Sequence, residues 1–235
     1  MTGRQLFAAA ALASAASPAL ADVPFLTDDP FIIDPGHYEV AFSLDRLSLP
    51  ARDATFAAAS LDVGIADGAQ AGVATLARQQ GGIAIGELSA NVKIAVLPAS
   101  DGRFGLAFRP ALAIPLNNAI RSDVGAVLPL YGGIAAGGWS IYGGGGYAIN
   151  SARDGGSYPV GGLVVSRAVG ERWVLGGELG ARGANDPAPS FVEIGAGASV
   201  ALGRYVTLAG ALYRTLTHRG ANGDGRAFVT LRYAR

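Results

Sequence analysis

Between Ile85 and Leu97 the chain reads I-G-E-L-S-A-N-V-K-I-A-V-L, and alternate residues separate by chemistry. Glu87, Ser89, Asn91 and Lys93 fall on one side; Leu88, Ala90, Val92, Ile94 and Val96 fall on the other. Successive side chains of a strand point to opposite faces, so this is a strand with one wet face and one apolar face. Its length is equally constraining. A strand of a globular protein runs about 5–6 residues, whereas a tilted strand crossing a bilayer needs roughly 9–11. The pattern predicts a membrane-spanning strand, and much of the chain repeats it.

A helical span does not compete. Half of the residues are hydrophobic, and Val124 to Ala152 carries no charge, but that stretch contains nine glycines. At roughly 1 kcal/mol each relative to alanine, they would cost a helix about 9 kcal/mol. Two glycine-rich strands joined near Gly137-Gly138 account for it better. The first residues read as an export signal: Arg4 as a positive n-region, Leu6 to Ala16 as an apolar h-region, and Ala19-Leu20-Ala21 as the cleavage site before Asp22. Export, apolarity and no spanning helix leave the closed barrel, the other architecture that satisfies every backbone group in lipid. The absence of cysteine fits an oxidising periplasm and a fold that needs no disulfide staple. A formal charge of zero indicates no polybasic surface for nucleic acid.

Three regions follow: a signal peptide at 1–21, an irregular proline-rich leader at 22–36 (D-V-P-F-L-T-D-D-P-F-I-I-D-P-G), and an all-β transmembrane antiparallel up-and-down barrel at 37–235. Twelve strands are expected, at about 37–47, 55–65, 69–78, 85–97, 104–114, 126–136, 139–149, 158–169, 173–183, 191–202, 205–217 and 227–235. The third alternates poorly and its facing is ambiguous. An even count is what single-chain bacterial barrels require. Connections after even strands are mostly short and those after odd strands longer and more polar. Outer-membrane barrels keep short turns on the periplasmic side, which puts both barrel termini in the periplasm. Phe104, Trp139 and Trp173 each begin an odd strand on its apolar face, where an aromatic girdle meets the lipid interface. Tyr205 holds the same place, but its parity points inward.

The segment Pro24-Phe25-Leu26-Thr27-Asp28-Asp29-Pro30, followed by Pro35-Gly36-His37-Tyr38-Glu39-Val40, resembles the opening of the outer-membrane barrel family named for the MetA-pathway of phenol degradation. The L-x-x-G-I-x-D-x-x-Q of Leu61–Gln70 and the G-E-L-x-x-x-x-K of Gly86–Lys93 are similar to that family as well. The resemblance implies an outer-membrane transporter of small, aromatic or apolar compounds. Barrels usually end in an aromatic residue that the barrel-assembly machinery recognises; here Tyr233 is followed by Ala234 and Arg235.

Catalytic signatures are sparse. Gly143–Ala148 matches G-x-G-x-x-A formally, but a loop follows where a dinucleotide site needs a helix. The nucleophile elbow G-x-S-x-G is absent. The two histidines, His37 and His218, fall at opposite ends of the expected barrel, so no catalytic pair, metal site or cofactor site is expected. Asp28-Asp29 reads as a turn or cap before Pro30 ahead of a cation site.

The informative residues are ionisable groups whose parity turns them inward: Glu39, Asp45, Asp62, Glu87, Lys93, Arg109, Glu178, Arg182, Glu193 and Arg232. They define either internal ion pairs that fill a closed barrel or charge rings along a narrow polar passage. Inward Gly180, Gly195, Gly197, Ser199, Ala107 and Ala111 favour some open space. Arg214 has the parity of Val206, Leu208 and Leu212; it either snorkels outward to lipopolysaccharide phosphates or is turned inward by a bulge. The expected function is a passive outer-membrane route for small solutes, with the leader as a plug or gate of the periplasmic mouth. A closed structural barrel without conductance and a barrel-wall lipid hydrolase are the alternatives.

Overall fold

The structure is a computed structural model; it describes residues 25–48, 53–79, 83–116, 125–150, 156–184, 190–217 and 225–235. The expected signal peptide lies outside the described residues. Thirteen segments form one antiparallel sheet: β1 (Tyr38–Ser48), β2 (Ala54–Ala66), β3 (Ala69–Gln79), β4 (Ile83–Leu97), β5 (Gly105–Phe108), β6 (Ala111–Pro115), β7 (Gly125–Ala136), β8 (Trp139–Asn150), β9 (Tyr158–Val169), β10 (Trp173–Arg182), β11 (Phe191–Ala201), β12 (Val206–Thr215) and β13 (Gly225–Ala234). Apart from β5 and β6, each segment pairs with the next in sequence, and β1 also pairs with β13, so the sheet closes on itself without an edge.

β5 and β6 are two lengths of one wall strand. Both pair with β4 on one side and β7 on the other. The barrel therefore has twelve walls, as the sequence predicts, but the expected continuous strand 104–114 is interrupted at Arg109-Pro110. Pro110 has no N–H to give the ladder, and its neighbour Arg109 faces a second proline, Pro129 of β7, which also has none. The wall stays bonded because Pro110 O accepts from Val92 N (3.2 Å) and Pro129 O from Arg109 N (3.1 Å). Two bulges in the β4 pairings, one opposite Leu76/Ala77 of β3 and one at Ala95/Leu97 facing β5, absorb the irregularity of this side.

Alternation sorts the side chains by solvent. Phe42, Leu44, Val73, Ile94, Leu112, Leu179, Ile194 and Leu231 are exposed on the outer wall, whereas Ser43, Asp62, Gln70, Lys93, Glu178 and Thr230 are buried inside. A soluble protein would bury the first set; a barrel in lipid exposes it. Strands of about 11 residues rise roughly 36 Å, and a tilt near 40° reduces this to about the height of a hydrocarbon core.

The short connections, at Asp67-Gly68, Gly137-Gly138 and Gly170–Arg172, lie at the end that also carries both barrel termini. Gly137 and Gly138 both have positive φ, 59° and 79°, which a two-residue hairpin whose twist matches the sheet requires. Tyr205 departs from the expected inward parity. It precedes β12 in a bend, so strand alternation does not reach it, and its ring lies 5.9 Å from Tyr233, which in turn lies 6.0 Å from Tyr38. For Arg214, the pairing of β12 with both neighbours runs without a register shift, so no bulge turns it inward and it is exposed beside Leu212.

Candidate functional site

Residues 25–34 run inside the barrel. They enter from the short-turn end, where Gly36 N donates to Gly64 O (3.1 Å), and they touch wall residues from β2, β3, β4, the β5–β6 break and β10. Asp29 Oδ1 accepts from Phe31 N (2.7 Å), an Asx turn that aims the pair Asp28-Asp29 at the wall. The sequence reading had that pair as a turn, and a turn is present; its carboxylates also meet two cations.

Lys93 Nζ lies 3.1 Å from Asp28 Oδ1 and 3.0 Å from Asp29 Oδ1. Arg109 donates through Nη1 to Asp28 Oδ2 (2.8 Å), through Nη2 to Asp62 Oδ1 (3.2 Å) and through Nε to Asn91 Oδ1 (3.0 Å). Lys93 and Arg109 are 3% and 2% exposed, so these are charges removed from bulk water, and only pairing makes that tolerable. Burial alone would raise the Asp28 pKa, but Lys93 and Arg109 outweigh it and hold it below its ordinary value. Asp28 is a carboxylate bound on both oxygens.

A second anchor sits across the bore. Glu178 Oε1 accepts from Thr27 N (2.7 Å) and Thr27 Oγ1 (2.5 Å), and its Oε2 accepts from Leu26 N (2.9 Å) and Tyr213 Oη (2.5 Å). Phe25 is buried against Tyr142 and Val164, and Gln70 Oε1 accepts from Ile33 N (2.9 Å). Glycines of the wall make room for this segment. A Cβ at Gly64 would strike the Asp34 carbonyl, one at Gly176 would lie 2.8 Å from the Phe25 ring, and one at Gly162 would collide with Thr27 Oγ1. Three of the inward small residues leave no open space. Gly180 is covered by Glu193 and Gly195 by the Tyr213 ring, while Ala107 is fully buried.

Gly162→Ala is expected to break the Thr27–Glu178 contact and weaken the docking of 25–34 by about 1–3 kcal/mol, the usual cost of overpacking. Hydrogen exchange at the Leu26 and Thr27 amides reads this directly. Exchange faster by roughly tenfold or more is expected, and unchanged rates would mean the segment is not held there.

The other wall charges lie in separate groups. Arg226 Nε donates to Asp45 Oδ2 (2.6 Å) nearer the long-loop end, and Arg232 Nη1 lies 3.6 Å from Glu39 Oε1 at the short-turn end. Glu87 is buried on β4, and Glu193 lies on β11 over Gly180. Arg182 is buried against the rings of Tyr158 and Phe191. Phe104, Trp139 and Trp173 are about half exposed at the short-turn end of the outer wall, with the Arg167 guanidinium 5.0 Å over the Trp139 ring. Arg226, Tyr213, Gln70 and the aspartates of the segment were not among the sequence-derived lumen residues, and Asn91 was placed on the wet face of its strand without being singled out. Tyr213, Asn91 and Gln70 share the inward parity and were legible in principle; Arg226 was read as part of a polar turn and in fact lies in β13. His37 is exposed at the short-turn end, and His218 lies outside the described residues.

No protein-family model matches the chain, and no curated protein matches it in sequence. Solved structures do match in fold. An outer-membrane channel from Pseudomonas putida F1 aligns with a TM-score of 0.68 at 13% identity, over 88% of this chain and 98% of the channel. The KdgM porin aligns with a TM-score of 0.61 at 10% identity, over 83% of this chain and 98% of the porin. Outer membrane phospholipase A from Escherichia coli aligns with a TM-score of 0.54 at 12% identity, over 88% and 93%. With its apolar outer wall and polar interior, the chain is a closed twelve-walled β-barrel of the bacterial outer-membrane class.

Proposed function

We propose that this chain is an outer-membrane channel for small solutes whose bore is held shut by residues 25–34. The observation that carries this reading is the way the segment is held: Asp28 and Asp29 on Lys93 and Arg109, and the Leu26 and Thr27 amides on Glu178. Nearly all of these bonds join the segment to the wall, so withdrawing it breaks few contacts of the wall with itself. It would leave Asp62, Asn91, Lys93, Arg109 and Glu178 facing the bore, a mixed-sign polar ring of the kind that lets water and small solutes pass under charge selection. Fold likeness to a porin and to a channel agrees with this.

The short-turn end, with the segment's entry, faces the periplasm in this reading, and the exposed aromatics there form a lipid-interface girdle. Arg214 reaches lipopolysaccharide from the outer wall, and Tyr233 serves the barrel-assembly machinery. The resemblance of the N-terminal and Leu61–Lys93 motifs to the phenol-degradation barrels points to aromatic or apolar cargo. The complete burial of the Asp28–Lys93–Arg109 cluster also favours a second reading, a closed envelope barrel that never conducts.

Planar-bilayer conductance of the mature protein, with and without residues 22–36, separates the two. Ohmic steps that appear or grow on truncation are expected. Silence from both proteins, each migrating as a heat-modifiable barrel, would leave the closed barrel standing.

A further inference from the structure

Arg182 is the buried cation that the described ion pairs do not use. It ends β10 with its side chain on the inner face, and it is 5% exposed. Its guanidinium carbon lies 5.2 Å from the centroid of the Tyr158 ring and 5.2 Å from that of the Phe191 ring. Register explains the placement: Arg182 faces Phe191 directly on β11 and Val160 on β9, two residues from Tyr158 on the same face. Nε, Nη1 and Nη2 have no hydrogen-bond partner among the described residues. Glu193, the carboxylate on the neighbouring strand, is seated against Gly180 and accepts nothing from Arg182.

This arrangement is chemically incomplete. Ring faces stabilise a cation through their quadrupoles, but they do not accept the five N–H donors of a guanidinium, which are laid out as a planar fork matched to a carboxylate. Every other buried cation in the described ion pairs has a carboxylate partner: Lys93 and Arg109 through the segment 25–34, and Arg226 through Asp45. We propose that Arg182, held between Tyr158 and Phe191, is a binding station for the carboxylate of a small apolar solute. It lies at the long-loop end of β10, further along that strand than Glu178, where the segment 25–34 is held. The guanidinium takes the carboxylate edge-on in a bidentate pair, and the flanking rings offer apolar surface to the rest of the solute.

The inference rests on the solute-passage reading for its biological sense, but its test does not need conductance. Benzoate is titrated calorimetrically into the refolded full mature protein in detergent, with empty micelles subtracted and benzamide as the uncharged isostere. Saturable benzoate binding is expected, at least about tenfold tighter than benzamide, since a charged hydrogen-bond pair supports that difference. Arg182→Gln should lose that preference, Arg182→Lys should keep part of it, and Arg167→Gln on the outer wall should keep all of it. Inorganic phosphate should not displace benzoate at matched concentration. Heat-modifiable migration checks that each variant is folded; Arg182→Gln removes no hydrogen bond and should pass. Equal binding of benzoate and benzamide, equal binding by wild type and Arg182→Gln, absence of benzoate binding, or full displacement by phosphate would each overturn the assignment. A silent bilayer with intact benzoate binding would instead count against conduction alone.

Discussion

Lys93→Met is expected to release residues 25–34 while leaving the barrel folded. Lys93 is the only lysine in the chain, and its ammonium lies 3.1 Å from Asp28 and 3.0 Å from Asp29. Without it, Asp29 loses its ion pair with the ammonium, and Asp28 must share the Arg109 guanidinium with Asp62 in a buried space. Removing one partner of a buried ion pair costs about 3–5 kcal/mol because the charge left behind is neither paired nor hydrated. The chain has an escape from that cost that a soluble core lacks. Undocking returns Asp28 and Asp29 to water and leaves Asp62 with Arg109 on the wall. The docked-to-released ratio should therefore fall by roughly two to three orders of magnitude. Hydrogen exchange at the Leu26 and Thr27 amides should rise accordingly, and bilayer conductance should approach that of the truncated protein. A Lys93→Met protein with protected amides and unchanged conductance would show that the cluster does not hold the segment.

Arg109→Met is expected to weaken the barrel itself. The Arg109 fork joins three elements: the segment through Asp28, β2 through Asp62, and β4 through Asn91, with bonds of 2.8, 3.2 and 3.0 Å. It also stands where the wall strand is broken beside Pro110, opposite Pro129, and its own N–H carries one of the few bonds across that gap. Undocking the segment restores no cation to Asp62, whose ion pair is with Arg109 on the wall. A loss of about 3–5 kcal/mol in unfolding free energy is expected, seen as a lower urea midpoint with an unchanged slope. Arg109→Lys should recover only part of it, since a point-like ammonium cannot bridge three acceptors in one plane. The contrast between the two variants, release without destabilisation at 93 and destabilisation at 109, distinguishes a latch from a structural brace. Equal loss of barrel stability in both would merge them into one structural network.

What was legible in the sequence is what nearest neighbours decide. Strand alternation has a period of two, so Glu87, Asn91 and Lys93 could be assigned to the inner face and Leu88, Val92 and Ile94 to the outer one without knowing any partner strand. Turn chemistry is equally local, which is why Gly137-Gly138 and the short-long rhythm of the connections anticipated twelve walls. Where local order stops, the reading failed. Tyr205 lies one residue outside its strand, Pro110 breaks a ladder that its side-chain pattern continues, and Arg226 was hidden in a turn-like composition.

Which charges meet was decided only by closure of the sheet and by how far the N-terminal segment enters it. Asp28 finds Lys93 across 65 residues, and Thr27 finds Glu178 across 151. Parity turns a charge into the bore, but a bore faces itself from every side, and composition does not say which wall lies opposite or at what height. Small inward residues likewise read as open space until side chains of neighbouring strands were seen to cover them, as the Tyr213 ring covers Gly195 and Glu193 covers Gly180. One-dimensional alternation determined the inside and outside of this protein; pairing across the lumen is a three-dimensional property, and only the closed barrel with its segment in place determined that.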